Sequence, residues 1–117
     1  MKKLFLNTSL ALGLLSSSLV IPSAADAATV TKNSSGKSFT KSWSLSASGT
    51  NSTWLMNYGF NTDWIDEDYT HTTHSNYDHT ATVSNGNGAY SKNAGSKSWA
   101  KIEVTHKGSY VEYSITY

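Results

Sequence analysis

The chain of 117 residues contains no cysteine, no arginine and only one proline. Without cysteine it has neither disulfide staples nor thiolate ligands for a metal ion. Arginine is the side chain on which bidentate recognition of phosphates and base edges mainly depends. The nine lysines are scattered against eight acidic residues, so the net charge is +1 and no basic block forms. We therefore expect no binding to nucleic acid.

Long apolar runs are also missing. The most apolar segment, residues 10–21, is interrupted by three serines and falls short of the ~18 consecutive apolar residues that a membrane span requires. Lys2 and Lys3 precede it, and residues 25–27 follow with a small-x-small cleavage pattern. We predict a cleaved signal peptide over residues 1–27, a secreted mature chain beginning near Ala28, and no stable insertion into membranes.

The rest of the chain is predicted to hold one domain, because about 90 residues are too few to split into two. Residues 28–37 are small and polar, which predicts a flexible N-terminus, and residues 38–117 form the domain. Four tryptophans and seven tyrosines lie after residue 27 and supply enough apolar surface for a small core. Association between copies of the chain is left open.

Apolar residues alternate with polar ones and predict short strands, and no segment has sustained helical periodicity. One apolar face is expected in each of three segments: Phe39, Trp43, Leu45 and Ala47; Trp54, Met56, Tyr58 and Phe60; Tyr77, His79, Ala81 and Val83. Lys41 interrupts the first of these faces, as is typical of a strand at the edge of a sheet. The pattern favours a small antiparallel β-sandwich or barrel.

The segments between these strands are more polar. An acidic loop is predicted over residues 61–68, a short or exposed strand over 69–75, and a long loop over 84–97. The C-terminal segment is predicted to form a hairpin, because a turn at residues 107–108 brings three apolar pairs into register. Those pairs are Ala100 with Ile115, Ile102 with Tyr113, and Val104 with Val111.

The histidines and carboxylates form no recognisable metal or catalytic motif. His71 and His74 are three residues apart and point to opposite faces of a strand, and His79 is expected to be partly buried beside a hydrogen-bond partner. The acidic loop lacks the order of an EF-hand and is expected to be solvated. No G-x-S-x-G elbow is present. We predict no catalytic residue, no metal site and no cofactor; the alternative is a secreted hydrolase or metal-dependent enzyme using residues 63–79.

Aromatic residues near loops carry more information about binding. Trp64 lies among the acidic residues, Tyr90 lies in the Gly/Asn-rich segment, and Trp99 lies on the polar face of the last predicted hairpin. Exposed rings beside lysines and carboxylates suit the binding of sugars, peptides or lipid-linked head groups. Trp54 is expected to belong to the core.

Several short motifs, taken in their order and spacing, resemble the lactococcin 972 family of secreted bacteriocins. They are W-x-x-x-Y-G at 54–59, S-N-Y at 75–77, H-T-A-T-V at 79–83, A-G at 94–95 and W-A-K at 99–101. The resemblance covers residues 49–117, although the segment between Gly59 and His79 is longer here and residues 39–47 lie outside it. It implies a sandwich of two antiparallel sheets. It also implies an antibacterial protein that binds the cell-wall precursor lipid II and blocks septum formation without forming pores.

Lipid II presents a pyrophosphate, two amino sugars and a short peptide. Cations suit its phosphates and aromatic faces suit its sugars. Because the chain has no arginine, lysines and the backbone amides of Gly-rich loops are expected to take their place. The predicted ligand-binding residues are Lys92, Lys97, Trp99, Lys101, Tyr90 and Trp64. The acidic loop is expected to lie away from the phosphates.

Overall fold

A computed structural model describes residues 28–117, and the predicted signal peptide over residues 1–27 lies outside the described residues. Eight strands and one short 3-10 turn, Thr50–Ser52, make up the regular structure of this part of the chain. The strands are β1 (Thr29–Asn33), β2 (Trp43–Ser48), β3 (Trp54–Asn61), β4 (Glu67–His74), β5 (His79–Asn85), β6 (Gly88–Ala94), β7 (Ala100–Thr105) and β8 (Glu112–Thr116).

The strands form two four-stranded sheets that pack face to face. The first sheet has the order β1-β8-β5-β6, the second has the order β2-β3-β4-β7, and every neighbouring pair is antiparallel. The predicted antiparallel β-sandwich is therefore confirmed. β2 is an edge strand as predicted, although it begins at Trp43, after Lys41. Over residues 28–117, no helix has the length and hydrophobicity needed to cross a membrane.

The core lies between the two sheets and is built from alternate positions of their strands. The predicted face of β3 is buried, and none of its four apolar residues is more than 7% exposed. These residues are Trp54, Met56, Tyr58 and Phe60. The first sheet contributes the fully buried Ala81, Val83, Tyr113 and Ile115. The Tyr113 ring lies 5.0 Å from that of Tyr58 and 5.9 Å from that of Trp43, between centroids, so it joins the two sheets.

The predicted face around residue 80 is only partly correct. His79, Ala81 and Val83 are buried on β5, whereas Tyr77 precedes the strand and is 60% exposed. The His79 ring nitrogens lie 3.1 Å from the carbonyl oxygens of Tyr77 and Thr72. The predicted hydrogen-bond partner of His79 is confirmed, and the side chain is fully rather than partly buried, with 2% exposed.

The predicted C-terminal hairpin is wrong. β7 pairs with β4 in the second sheet, and β8 pairs with β1 and β5 in the first. Ile102 is opposite Thr70, whereas Tyr113 is opposite Val83 and Lys32. β7 and β8 each bury one face with the same two-residue period, and that period fits many antiparallel partners equally well. Residues 106–111 instead cross from one sheet to the other.

Two segments predicted to be irregular are edge strands. β1 lies within the N-terminus, 28–37, that we expected to be flexible, and it pairs with β8 along its whole length. β6 occupies the middle of the expected loop over 84–97 and pairs with β5 around a tight turn at residues 86–87. Both strands expose most of their side chains, so their sequences carry little apolar periodicity.

β4 also differs from the prediction, since it is an inner strand and is longer than expected. Glu67 and Asp68 belong to it, and the Asp68 carboxylate is fully buried rather than solvated in the acidic loop. Its oxygens accept hydrogen bonds from His106 Nδ1 at 2.9 Å and from Asn85 Nδ2 at 2.8 Å. The Phe39 ring stacks on the His106 imidazole with 4.1 Å between centroids. His106 and Asn85, which bind the carboxylate, and Phe39, which packs on His106, all come from other parts of the chain.

Candidate functional site

The outer face of the second sheet carries polar side chains from all four strands in registered rows. One row contains Ser44, Gly59, Tyr69 and Glu103, and the next contains Ser46, Asn57, His71 and Lys101. These residues alternate with the core residues of the same strands, so their side chains point away from the core. One surface thus carries hydroxyl, amide, phenol, imidazole, carboxylate and ammonium groups.

A groove of ≈ 480 Å³, here called the outer-face groove, crosses this surface. Gly59 leaves the middle of the surface without a side chain. A Cβ at that position would collide with the Trp43 carbonyl oxygen and would lie 3.0 Å from the Tyr69 hydroxyl, so only glycine allows β2 and Tyr69 to approach. The groove is lined by Ser44, Leu45, Ser46, Asn57, Asn61, Asp63, Tyr69, His71 and Glu103. An adjoining depression extends from it towards Ser42 and Phe60.

The floor of the outer-face groove is ordered by contacts between its own side chains. His71 Nε2 lies 2.9 Å from a Glu103 carboxylate oxygen, and the His71 ring packs 5.0 Å from the Tyr69 ring. Burial raises the pKa of Tyr69, a hydrogen bond with Ser44 lowers it, and the charges of Glu103 and Asp63 raise it. The Tyr69 hydroxyl is therefore neutral at physiological pH and both donates and accepts hydrogen bonds.

The groove is equipped for binding, and its hydroxyls are not arranged beside a base. The Ser46 hydroxyl donates to Asn57 Oδ1 at 3.0 Å. Ser46 and His71 lie two strands apart, which is roughly 10 Å. Within residues 28–117, the hydrogen bond of the His71 ring goes to Glu103 rather than to a serine or threonine. The arrangement can stack on a ligand and hydrogen-bond to it.

Three of the six predicted ligand-binding residues lie in or just before β7, on the side of the sheet next to this groove. Lys101 is opposite His71 in the register of β7 and β4, and it is exposed. Trp99 immediately precedes β7, two residues before Lys101, and is 42% exposed. Lys97 lies in the preceding turn with a left-handed backbone (φ 66°), and its N–H donates to the His74 carbonyl at 2.7 Å. These three residues extend the polar surface towards one end of the second sheet.

The other three predicted residues lie elsewhere. Tyr90 and Lys92 are on β6, the edge strand of the first sheet, which lies against β7. The Tyr90 hydroxyl donates to the Asn87 carbonyl at 2.9 Å. Trp64 is 92% exposed in the loop that joins β3 to β4. That loop is at the opposite end of β4 from Trp99, roughly 20 Å away along the strand.

Sequence reasoning missed Asn57, Tyr69, His71 and Glu103 as members of one site. Asn57 and Glu103 alternate with residues that were predicted to be in the core. Tyr69 and His71 lie in the segment that was predicted to be a short or exposed strand. Alternation could have placed each residue on an outward face. It could not have placed all four on the same face, because that depends on the pairing of β7 with β4.

The inward-facing histidine of β4 has a structural role. His74 is 3% exposed, and its Nδ1 accepts hydrogen bonds from the backbone N–H groups of Asn76 at 3.0 Å and Tyr77 at 3.2 Å. Burial lowers the pKa of His74, and the neighbouring His79 lowers it further. The neutral ring with its proton on Nε2 fits these contacts. His71 and His74 thus face opposite sides of the sheet, as predicted.

Over residues 28–117, no group of three histidine or acidic side chains is positioned to hold a metal ion. Comparisons with protein-family models, with curated proteins and with solved structures give no match to the chain.

Proposed function

We propose that this chain is a secreted antibacterial protein that binds the cell-wall precursor lipid II and stops septum formation without forming pores. The observation that carries the proposal is the exposed pair of Trp99 and Lys101 beside the outer-face groove. A flat ring, an ammonium group and a set of hydrogen-bonding groups then share one accessible surface. The motif resemblance to secreted bacteriocins supports the same target.

In this proposal, the pyrophosphate of lipid II binds at the end of the second sheet where Lys97 and Lys101 lie. Each lysine acts as a point charge towards the phosphate oxygens. Trp99 offers a ring face to an adjacent sugar. Asp63, at the far side of the groove, is suited to an ammonium group of the peptide.

The remaining predicted residues are assigned to the periphery of the site. Tyr90 and Lys92 lie on β6 beside β7 and are proposed to contact parts of the target that extend past the edge of the second sheet. Trp64 is too far from Trp99 to share one sugar with it. It is proposed to make a separate contact through the exposed loop between β3 and β4.

Binding to lipid II in vesicles, measured by calorimetry, tests the proposal directly. Changing Trp99→Ala together with Lys101→Ala should weaken binding at least tenfold, because a stacking contact and a charge contact of about 1 kcal/mol each are lost. Both side chains are exposed, so the melting temperature should change little. The matched control neutralises Asp66 and Glu67 and should not weaken binding. Loss of binding in the control alone would place the site on the acidic loop.

Microscopy of dividing bacteria separates this proposal from the enzyme alternative. The purified mature protein should produce elongated cells with arrested septa, and a chelator should make no difference. Turnover of a cell-wall or sugar substrate that stops when chelator is added would instead favour a metal-dependent enzyme using residues 63–79. Leakage of the membrane before division is affected would contradict a mechanism without pores.

A further inference from the structure

The outer-face groove has a chemical composition that differs from that of a phosphate site. Amide and hydroxyl groups dominate its lining, supplied by Asn57, Asn61, Ser44 and Ser46. Its two carboxylates, Asp63 and Glu103, accept hydrogen bonds but repel anions. The groove therefore suits an uncharged ligand with many hydroxyl groups better than it suits the pyrophosphate.

Aromatic rings form part of the same surface. Tyr69 and His71 are adjacent, with 5.0 Å between ring centroids, and both line the groove. The Tyr69 side chain reaches across β3, and its hydroxyl lies within 3.0 Å of where a Cβ of Gly59 would be. A pyranose ring has an apolar C–H side that packs on such rings and hydroxyl groups at its rim that need donors and acceptors. The groove volume of ≈ 480 Å³ is in the range typical of small-molecule sites.

We propose that the outer-face groove is a binding site for an uncharged saccharide, distinct from the lysine-bearing end of the same sheet. The saccharide packs against Tyr69 and His71, and its hydroxyl groups bond to Asn57, Asn61 and the Glu103 carboxylate. The chemistry of this ligand follows from the groove alone. Its source, the disaccharide of the cell-wall precursor, rests on the proposed function.

The groove orders its own groups before any ligand arrives. The 2.9 Å contact with His71 Nε2 fixes one Glu103 carboxylate oxygen, and the hydrogen bond from Ser46 fixes the Asn57 amide, whose NH₂ makes no hydrogen bond within residues 28–117. Prepositioned donors and acceptors reduce the entropy lost on binding. The site is nevertheless open to solvent on one side, so weak and rapidly exchanging binding is expected for a disaccharide alone.

Nuclear magnetic resonance of the secreted protein, titrated with N,N′-diacetylchitobiose, tests the saccharide site. Backbone amide signals of Asn57, Gly59, Tyr69 and His71 should shift, and those of Thr80 and Thr82 on the first sheet should not. Absence of shifts, or shifts confined to residues outside the groove, would overturn the inference.

Affinity measurements on variants test the individual contacts. Asn57→Ala and Glu103→Ala should each weaken binding of the disaccharide about five- to tenfold, since each removes one hydrogen-bonding group. The matched control is Asn93→Ala on the outer face of the first sheet, where Asn93 accepts a hydrogen bond from Thr80 at 2.7 Å much as Asn57 accepts one from Ser46. An equal loss of affinity in all three variants would overturn the inference.

Two lipids distinguish a failure of this site from a failure of the proposed function. Groove variants should weaken binding to lipid II and leave binding to sugar-free undecaprenyl pyrophosphate unchanged. If the disaccharide shifts the groove signals but neither lipid binds, the proposed target is wrong and the saccharide site stands. If lipid II binds through Trp99 and Lys101 while groove variants and the disaccharide have no effect, the saccharide site is wrong and the target stands.

Discussion

The outer faces of the two sheets are built from the same kind of strand but differ in what they offer to a ligand. On the first sheet, the corresponding rows contain Thr29, Thr116, Thr80 and Asn93, then Thr31, Ser114, Thr82 and Ser91. Three hydrogen bonds of 2.7–3.0 Å join neighbouring side chains in these rows. In these two rows the side chains are short, uncharged and hydrogen-bonded to one another, and the charged residue of that face, Glu112, lies in the next row. The outer face of the second sheet has rings, charges and a groove instead.

Under the proposed function, the residues that stabilise the sandwich and the residues that bind the target lie on opposite faces of the second sheet. Both sheets bury one apolar face, and that burial maintains the fold. The outer residues are then free to vary without a cost to packing. On the second sheet, Gly59 allows the Tyr69 side chain to approach β2, and larger polar side chains line the groove.

A second comparison lies within the second sheet itself, which has one carboxylate–histidine pair on each face. Asp68 and His106 meet at 2.9 Å with side chains 0% and 13% exposed, whereas Glu103 and His71 meet at the same distance with side chains 46% and 21% exposed. The first pair is buried beside the core, where the Phe39 and Phe60 rings pack on His106. The second pair shapes an open groove. Equal distances therefore conceal unequal structural roles.

The largest effect is expected for the tyrosine that joins the two sheets. Tyr113→Ala should lower the free energy of unfolding by about 3–5 kcal/mol, because it removes a fully buried ring that contacts Trp43 and Tyr58. The matched outer-face variant, Tyr69→Ala, should lower it by about 1 kcal/mol or less. Chemical denaturation monitored by circular dichroism measures both. Equal losses would mean that the second sheet depends on its outer face for stability.

The second-largest loss of stability is expected when the buried carboxylate of Asp68 is removed. Asp68→Ala should cost about 3 kcal/mol, since it removes a fully buried carboxylate to which His106 and Asn85 are both hydrogen-bonded. Glu103→Ala removes an exposed pair and should cost less than about 1 kcal/mol. Denaturation curves recorded at neutral pH give both values. A larger loss for Glu103→Ala would reverse the roles assigned to the two pairs.

The inward-facing histidine of β4 is expected to have a smaller effect, which appears in how stability changes with pH. Because the pKa of folded His74 is below its ordinary value of 6.5, the unfolded chain binds a proton first as the pH falls. The stabilising contribution is complete above pH 6.5 and is lost as the pH falls from there towards the lowered pKa. One proton gives a slope of at most about 1.4 kcal/mol per pH unit. His74→Gln should flatten this part of the stability–pH curve, and an unchanged slope would contradict the assignment.

The smallest change in stability is expected when only the hydroxyl of Tyr113 is removed. Tyr113 Oη is buried and makes no hydrogen bond to any residue from 28 to 117. Tyr113→Phe keeps the ring and removes an unsatisfied group, so the free energy of unfolding should stay within about 0.5 kcal/mol or rise. Thermal denaturation of the two proteins side by side measures the difference. A loss of more than about 1 kcal/mol would show that the hydroxyl has a partner.

Local patterns predicted one face of most strands well. The alternation in residues 54–60 identified the buried face of β3, and the same reasoning placed Ala81, Val83 and Tyr113 inside. It failed for β1 and β6, because an exposed edge strand has no apolar face from which to recognise it. It also failed for Asp68, whose burial is stabilised by His106 and Asn85 from distant segments.

The sequence by itself determined which side chains face inward in the strands that have an apolar face, because side chains alternate with a period of two within a single strand. It also determined the chemistry that the outward positions carry, including the lysines, Trp99 and the absence of arginine. Only the tertiary structure decided that β7 pairs with β4 rather than with β8, since alternation is local and does not specify a partner. That single pairing puts Lys101 opposite His71 and Glu103 opposite Tyr69, and so brings one predicted binding residue, Lys101, onto the face that carries the groove.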